Sequence, residues 1–255
     1  MLKSNALILR EDWEFSILNI FNYNKFCQLS YYFNFIKSNY HRLEGDIVEA
    51  GVYQGKSLLA TALLLKELGS NKKVIGFDTF SGFPAIYNSN DNIKIFRNLY
   101  NKKKISKDHF LKVLKNQDYR KIILGKKPNI KTISQSGSFV NANYNMLLRK
   151  IKLLKLDNIK LVQGCFSKTM AKSEIKNGIM GALIDCDLYE SYKTSLPFIW
   201  KSLNRGGYIF LDEYYSLKFP GAKVAVDEFK KDVNAQLKRH PIMPGDFERW
   251  YLIKK

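Results

Sequence analysis

The stretch DIVEAGVYQGKSLLATALLLKELGSNKKVIGFD, residues 46–78, decides the fold. It opens on a short apolar run, Asp46–Ala50, that enters Gly51 and Gly55. Ser57–Leu68 then carries Leu58, Leu59, Ala62, Leu65 and Leu68 at helical spacing, with Gly69 as its stop. Lys73–Phe77 is a second apolar run and ends at Asp78. Strand, glycine turn, helix, strand is a βαβ unit, which implies a parallel sheet joined by right-handed crossovers.

Working outward, residues 11–40 space Trp13, Ile17, Ile20, Phe21, Tyr31, Phe33 and Ile36 for one or two helices ahead of the first strand. From Pro84 to about Gly137 the periodicity weakens and Asn, Lys and Ser dominate, with short helices expected at Ile105–Leu114 and Tyr119–Leu124. A connection of this length is usually a lid or a disordered insert. Regular structure is expected again at a helix Tyr144–Leu154, strands Ile159–Val162 and Ala182–Ile184, and a helix Tyr189–Leu203 broken by Gly206-Gly207. A strand Tyr208–Leu211, a helix Ala222–Val233 and a last strand Trp250–Ile253 complete the reading. With no internal repeat and no clean linker, residues 1–255 are one domain carrying one insertion at about 84–137.

Composition narrows the function. The chain is 45% hydrophobic and 14% aromatic, enough for a sizeable core. No apolar run reaches the roughly 18–20 residues that span a bilayer, and Ala6–Leu9 is too short for a signal h-region. Three scattered cysteines, Cys27, Cys165 and Cys186, give no CxxC pair, which favours a reduced, cytoplasmic protein. The net charge of +19 is uneven: residues 101–131 hold eleven Lys or Arg against Asp108 and Asp118, a local +9. Either a lysine-rich lid or an anionic partner accounts for that excess. Nucleic acid is disfavoured, because only Phe110 and Tyr119 interleave the basic residues and no binding motif is present.

Against this basic background, four strands end in acids: Glu49, Asp78, Asp185 and Asp212. In open α/β sheets ligands bind beyond the carboxyl ends of the strands. Each acid alone also reads as a cap for the following helix, but the four together mark one rim. The turn EAGVYQGKS (49–57) lacks the third glycine of a dinucleotide fingerprint and is one residue short of a phosphate loop. A nucleoside ligand without phosphates suits it better, and S-adenosylmethionine is such a ligand.

The blocks GDIVEAGVYQGKS (45–57), VIGFDTFSGFP (74–84), LVQGCFSKTM (161–170), LIDCDLYES (183–191), GGYIFLDEY (206–214) and PGAKVAVDEF (220–229) resemble the macrocin O-methyltransferase family. The resemblance covers about 45–84 and 138–229, in order and spacing. It implies a Rossmann-like class I methyltransferase sheet, mostly parallel with a C-terminal antiparallel strand, plus N-terminal helices and a basic lid. By that resemblance Glu49, Gly51 and Gly55 shape the methionine end of the cofactor site, Asp78 takes the ribose, and Cys165 with Phe166 flanks the adenine. Val52, Tyr53, Ser57, Gly164 and Asp185 are expected along the same cofactor. Asp185, Asp212 and Glu213 are the implied Mg²⁺ ligands, which agrees with the preference of Mg²⁺ for a few hard carboxylate oxygens. The family usually shows two aspartates where this chain has Asp212-Glu213. Glutamate adds a methylene, so either the ion shifts or Glu213 acts through water. Asp187 reads as a support for the ligands, a general base or a cap. His109 reads as a base if the insertion folds over the site, and otherwise as a solvated lid residue.

The expected function is an Mg²⁺-assisted O-methyltransferase on a small sugar-like acceptor, phosphorylated or nucleotide-linked, with a homo-oligomer left open. Transfer to a phosphoryl oxygen or nitrogen, an NAD-linked oxidoreductase and a basic polyanion-binding module are the rival expectations.

Overall fold

The structure, a computed structural model, describes residues 9–85, 87–233, 235–242 and 247–255. Ala6–Ile8 of the N-terminal apolar run lie outside the described residues. Seven strands form one sheet: β1 (Asp46–Ala50), β2 (Val74–Asp78), β3 (Ile159–Gln163), β4 (Ile179–Ile184), β5 (Leu203–Leu211), β6 (Ala235–Arg239) and β7 (Trp250–Lys254). Their order is β3-β2-β1-β4-β5-β7-β6. Pairing is parallel from β3 to β5, and β7 runs antiparallel between β5 and β6. The order reverses between β1 and β4, which is the switch point where such sheets open a crevice.

Alternation along each strand assigns the two faces. Tyr208 and Phe210 of β5 join the core built with α1 (Asp12–Ile17), α2 (Ser30–Asn39) and α3 (Lys56–Glu67). Ile209 and Leu211 join the opposite core, against α8 (Tyr189–Ser202) and α9 (Pro220–Asp232). Both faces of the parallel strands are therefore covered, as parallel sheets require.

The insertion is more ordered than its sequence suggests. Helices α4 (Ile95–Asn101) and α5 (Lys107–Leu124) pack around a small core of Phe96, Leu99, Ile105, Phe110 and Val113. The two short helices expected here are one helix of 18 residues, and α4 was not foreseen. The polar run Lys115–Asp118 that suggested a break lies on α5 away from that core, where helix needs no apolar residue. After it come α6 (Tyr144–Leu153) and the short α7 (Phe166–Thr169). Gly206-Gly207 does not end α8; the helix stops at Ser202 and the glycines sit in an irregular start to β5. The edge strand β6 was also missed, because its sequence AQLKR shows too little apolar alternation.

Backbone ladders run one residue past the strand ends and line up the rim. Gly51 donates to the Phe77 carbonyl at 2.9 Å, Asp185 to Ala50 at 2.9 Å, and Asp212 to Ile184 at 3.0 Å. Gly51 is the tight point: its φ is +93°, and a Cβ there would lie 1.8 Å from the Asp185 carbonyl oxygen. Gly51→Ala should destabilise the chain by about 3 kcal/mol, combining backbone strain with overpacking. Urea unfolding checks this, and a loss below about 0.5 kcal/mol, the size of an ordinary surface change, would mean that the β1 and β4 ends are not held together.

Candidate active site

Asp78 at the end of β2 organises the turn after β1. Its Oδ2 accepts the N–H groups of Val52 (2.7 Å) and Tyr53 (2.8 Å), and its Oδ1 accepts that of Phe80 (2.6 Å). Tyr53 and Phe80 both hold positive φ, a conformation non-glycine residues rarely adopt. The carboxylate thus holds two strained residues and the glycine turn in one piece.

Glu49 sits below the rim rather than on it, inside β1 and fully buried. Ser57, in the first turn of α3, donates to its Oε1 at 2.7 Å. Its Oε2 is buried with no hydrogen-bond partner among the described residues. Burial, with Asp185 and Asp78 nearby, pushes the Glu49 carboxyl well above the usual range. An orphaned buried carboxyl oxygen fits a cationic ligand group such as the ammonium of an amino acid.

The main cluster lies at the mouths of β4 and β5. Oxygens of Asp185, Asp187 and Glu213 lie within 4.8 Å of one another. Asp187 has a φ of +60°, and its N–H points to Glu213 Oε2 at 3.4 Å. The Tyr192 hydroxyl donates to the same oxygen at 2.8 Å and accepts the Glu213 N–H at 3.2 Å. Desolvation and the charge of Asp212 push Asp185 up to about 7. Asp187 and Glu213 are raised well above the carboxylate range, first by burial and then by their neighbours' charges. Hard oxygen donors that repel one another in this way are the chemistry a divalent ion such as Mg²⁺ satisfies.

Asp212, expected in that set, is instead engaged by Arg249, whose Nη1 lies 2.7 Å from Oδ1. The geometry brings Asp187 into the group, while Asp212 pairs with Arg249 and its charge still bears on Asp185 and Glu213. Gly164 follows β3 with its N–H on the Asp78 carbonyl at 2.8 Å. Cys165 is exposed, with its thiol pulled down by the Ser167 hydroxyl 3.3 Å away. Phe166 is 9% exposed and packs into the sheet core, so Cys165 is the more open of the pair.

The insertion closes over this rim. Asp91, 1% exposed, accepts the N–H of Tyr189 at 2.8 Å and so caps α8, two residues beyond Asp187. An aromatic row crosses the glycine turn: Phe139 packs on Tyr53 and on Phe83, and Phe83 on Phe219. His109 is not the solvated residue expected as one option. It is 4% exposed, its ring 4.2 Å from that of Tyr215, and it hydrogen-bonds the Ser216 backbone. Burial drives its pKa down to about 4, leaving it neutral. Asp91, Tyr192, Arg249 and the aromatic row were not foreseen. An Asn88–Asp91 capping pattern in NSND was the one available signal for the first of them.

The macrocin-O-methyltransferase (TylF) family model matches residues 126–244. Demethyldecarbamoylnovobiocin O-methyltransferase of Streptomyces niveus is 24% identical over 192 residues, 74% of this chain and 60% of that protein. The chain therefore spans about three fifths of the length of that curated relative. The calicheamicin methyltransferase CalS11 superposes with a TM-score of 0.62 at 22% identity, over 89% of this chain and 78% of that one. The O-methyltransferase NovP gives 0.60 at 21%, over 87% and 75%. These two likenesses establish the Rossmann-like sheet.

The raised carboxyls set a pH dependence. Folded Asp185, Asp187, Glu213 and Glu49 hold protons that the unfolded chain releases, so stability falls as pH rises through about 7. Buried His109 and His240, both near 4, act oppositely, but only below the ordinary histidine value of 6.5. Melting of the metal-free protein should therefore drop by several degrees between about pH 5 and about pH 7, the four carboxyls outweighing the two histidines. Added Mg²⁺ should raise it more at the higher pH; a flat profile would mean the acids are solvated and independent.

Proposed function

We propose that the chain is a class I methyltransferase of the macrocin-O-methyltransferase (TylF) kind, whose family model matches residues 126–244, and that it methylates a hydroxyl of a small sugar-like acceptor. S-adenosylmethionine is the methyl donor, and Mg²⁺ is held by Asp185, Asp187 and Glu213. The observation that carries this reading is the group of three acids within 4.8 Å at the switch-point rim. CalS11, described as a TDP-rhamnose 3'-O-methyltransferase, supports a sugar acceptor.

Bound there, Mg²⁺ supplies a Lewis acid that lowers the pKa of a hydroxyl and fixes its oxygen. The chain's own residues do the rest. Glu49 receives the cofactor's ammonium on its orphaned Oε2, and Ser57 holds that carboxyl in place. The Asp78-bound turn, with Gly51, Val52, Tyr53 and Gly55, shapes the cofactor floor. Asp78 retains acceptor capacity at Oδ1 for the ribose, while Gly164, Cys165 and Phe166 border the adenine. Transfer exchanges the hydroxyl proton for a methyl group, so a rim carboxylate must take that proton; Asp187 is suited to it in the ionised form that a cation in the cluster would impose. Arg249 keeps Asp212 beside the cluster, where its charge helps hold the ion. His109, neutral and bonded to the Ser216 backbone, positions the segment after Glu213. The aromatic row excludes water, and alignment within the closed site supplies much of the rate.

Calorimetric titration of S-adenosylhomocysteine should give saturable micromolar binding in Mg²⁺ and in EDTA alike. No binding in either buffer would sink the methyltransferase reading. Asp187→Asn and Glu213→Gln should each lower turnover by about 100-fold or more with cofactor affinity retained. Asp212→Asn should cost less, since Asp212 lies outside the triad; if it costs more than either, Asp212 is the ligand and Asp187 is not.

A further inference from the structure

A cleft of about 1000 Å³ opens within the insertion, between α4, α5 and the segment 127–130. Its size lies at the upper end of small-molecule sites. Lys94, Arg97, Lys121 and Lys127 line it. All four are exposed, and none is in an ion pair among the described residues. Lys112, on the same helix but outside the cleft, is paired with Asp108. Two acids also line the cleft: Asp118, which is exposed, and Asp91, whose carboxyl is buried on the Tyr189 N–H.

Two features make the cleft more than a lysine-rich surface. The Arg97 guanidinium lies over the Phe110 ring at 5.8 Å from its centroid, which holds a planar fork ready for an anion. Tyr87 also lines the cleft, with the Lys131 ammonium over its ring at 5.4 Å from the centroid. Through Asp91 the cleft also abuts the head of α8, two residues beyond Asp187.

We propose that this cleft binds the diphosphate of an activated sugar acceptor, with Arg97, Lys94, Lys121 and Lys127 as its counter-charges. The inference rests on the methyltransferase reading for the fate of the sugar, but not for the binding itself. It gives Lys121 and Lys127, two of the eleven basic residues of 101–131, a chemical partner together with Lys94 and Arg97.

The test is calorimetry on the full chain with UDP, inorganic pyrophosphate and glucose 1-phosphate as probes, each with S-adenosylhomocysteine titrated in parallel. UDP should bind, and Arg97→Gln/Lys127→Gln should weaken it about 10-fold or more with cofactor affinity and melting temperature unchanged. Lys94→Gln/Lys121→Gln is the second pair, should the first fail to fold. Lys112→Gln/Lys115→Gln removes the same charge from α5 outside the cleft and should change UDP affinity less than about two-fold. UDP binding well above pyrophosphate assigns a nucleotide-linked acceptor. Equal binding of the two assigns the diphosphate alone, and tighter binding of glucose 1-phosphate overturns the diphosphate. Equal loss in the cleft and control pairs, or no UDP binding while S-adenosylhomocysteine binds, overturns the cleft and leaves the methyltransferase reading standing. UDP binding without S-adenosylhomocysteine binding does the reverse.

Discussion

Mutual repulsion among buried carboxylates is the constraint on which this structure turns. Asp185, Asp187 and Glu213 stand within 4.8 Å of one another at the rim of a chain whose net charge is +19. The fold brings them there by strand register, since Asp185 and Asp212 each extend a parallel ladder by one residue. It holds them with Tyr192, whose hydroxyl bonds Glu213 from below. Nothing in the sheet requires acids at those positions. A cluster that opposes folding when ionised is the sort of local conflict that marks a working site.

Around it the insertion behaves as a small folded unit rather than a loop. Its own core, centred on Phe96, Phe110 and Val113, leaves the charged side of α4 and α5 free of packing duties. It meets the sheet domain through Asp91 and Asn88 on α8, His109 on Tyr215, and Leu217 and Val224 packed against its core.

Much of this was legible in the sequence because strands β1, β2, β4 and β5 each contain an apolar run that ends at or beside an acid. The starts of β4 and β5 were not, since these strands begin at Ile179 and Leu203, ahead of the runs read as Ala182–Ile184 and Tyr208–Leu211. The insertion was harder to read, because a core of five buried side chains leaves a weak periodic signal across some fifty residues. Which acids converge was also hidden. Asp187 joins the cluster through a positive φ, and Asp212 leaves it through Arg249, thirty-seven residues away in sequence. Glu49 was counted among the rim acids although it is the residue before the last of the Asp46–Ala50 run; it lies inside β1, where its orphaned oxygen becomes informative.

The bond from Asp91 to the Tyr189 N–H joins residues 98 positions apart. Closing so long a loop is entropically unfavourable until most of the intervening chain is in place. Strands β3 and β4 both lie in that interval, so their pairing in the sheet shortens the loop that this bond closes. During synthesis, the helices of the insertion emerge well before the helix they cap. For that period their small core must be held by its own contacts, which gives Phe96, Leu99 and Val113 a part in folding order as well as in final packing.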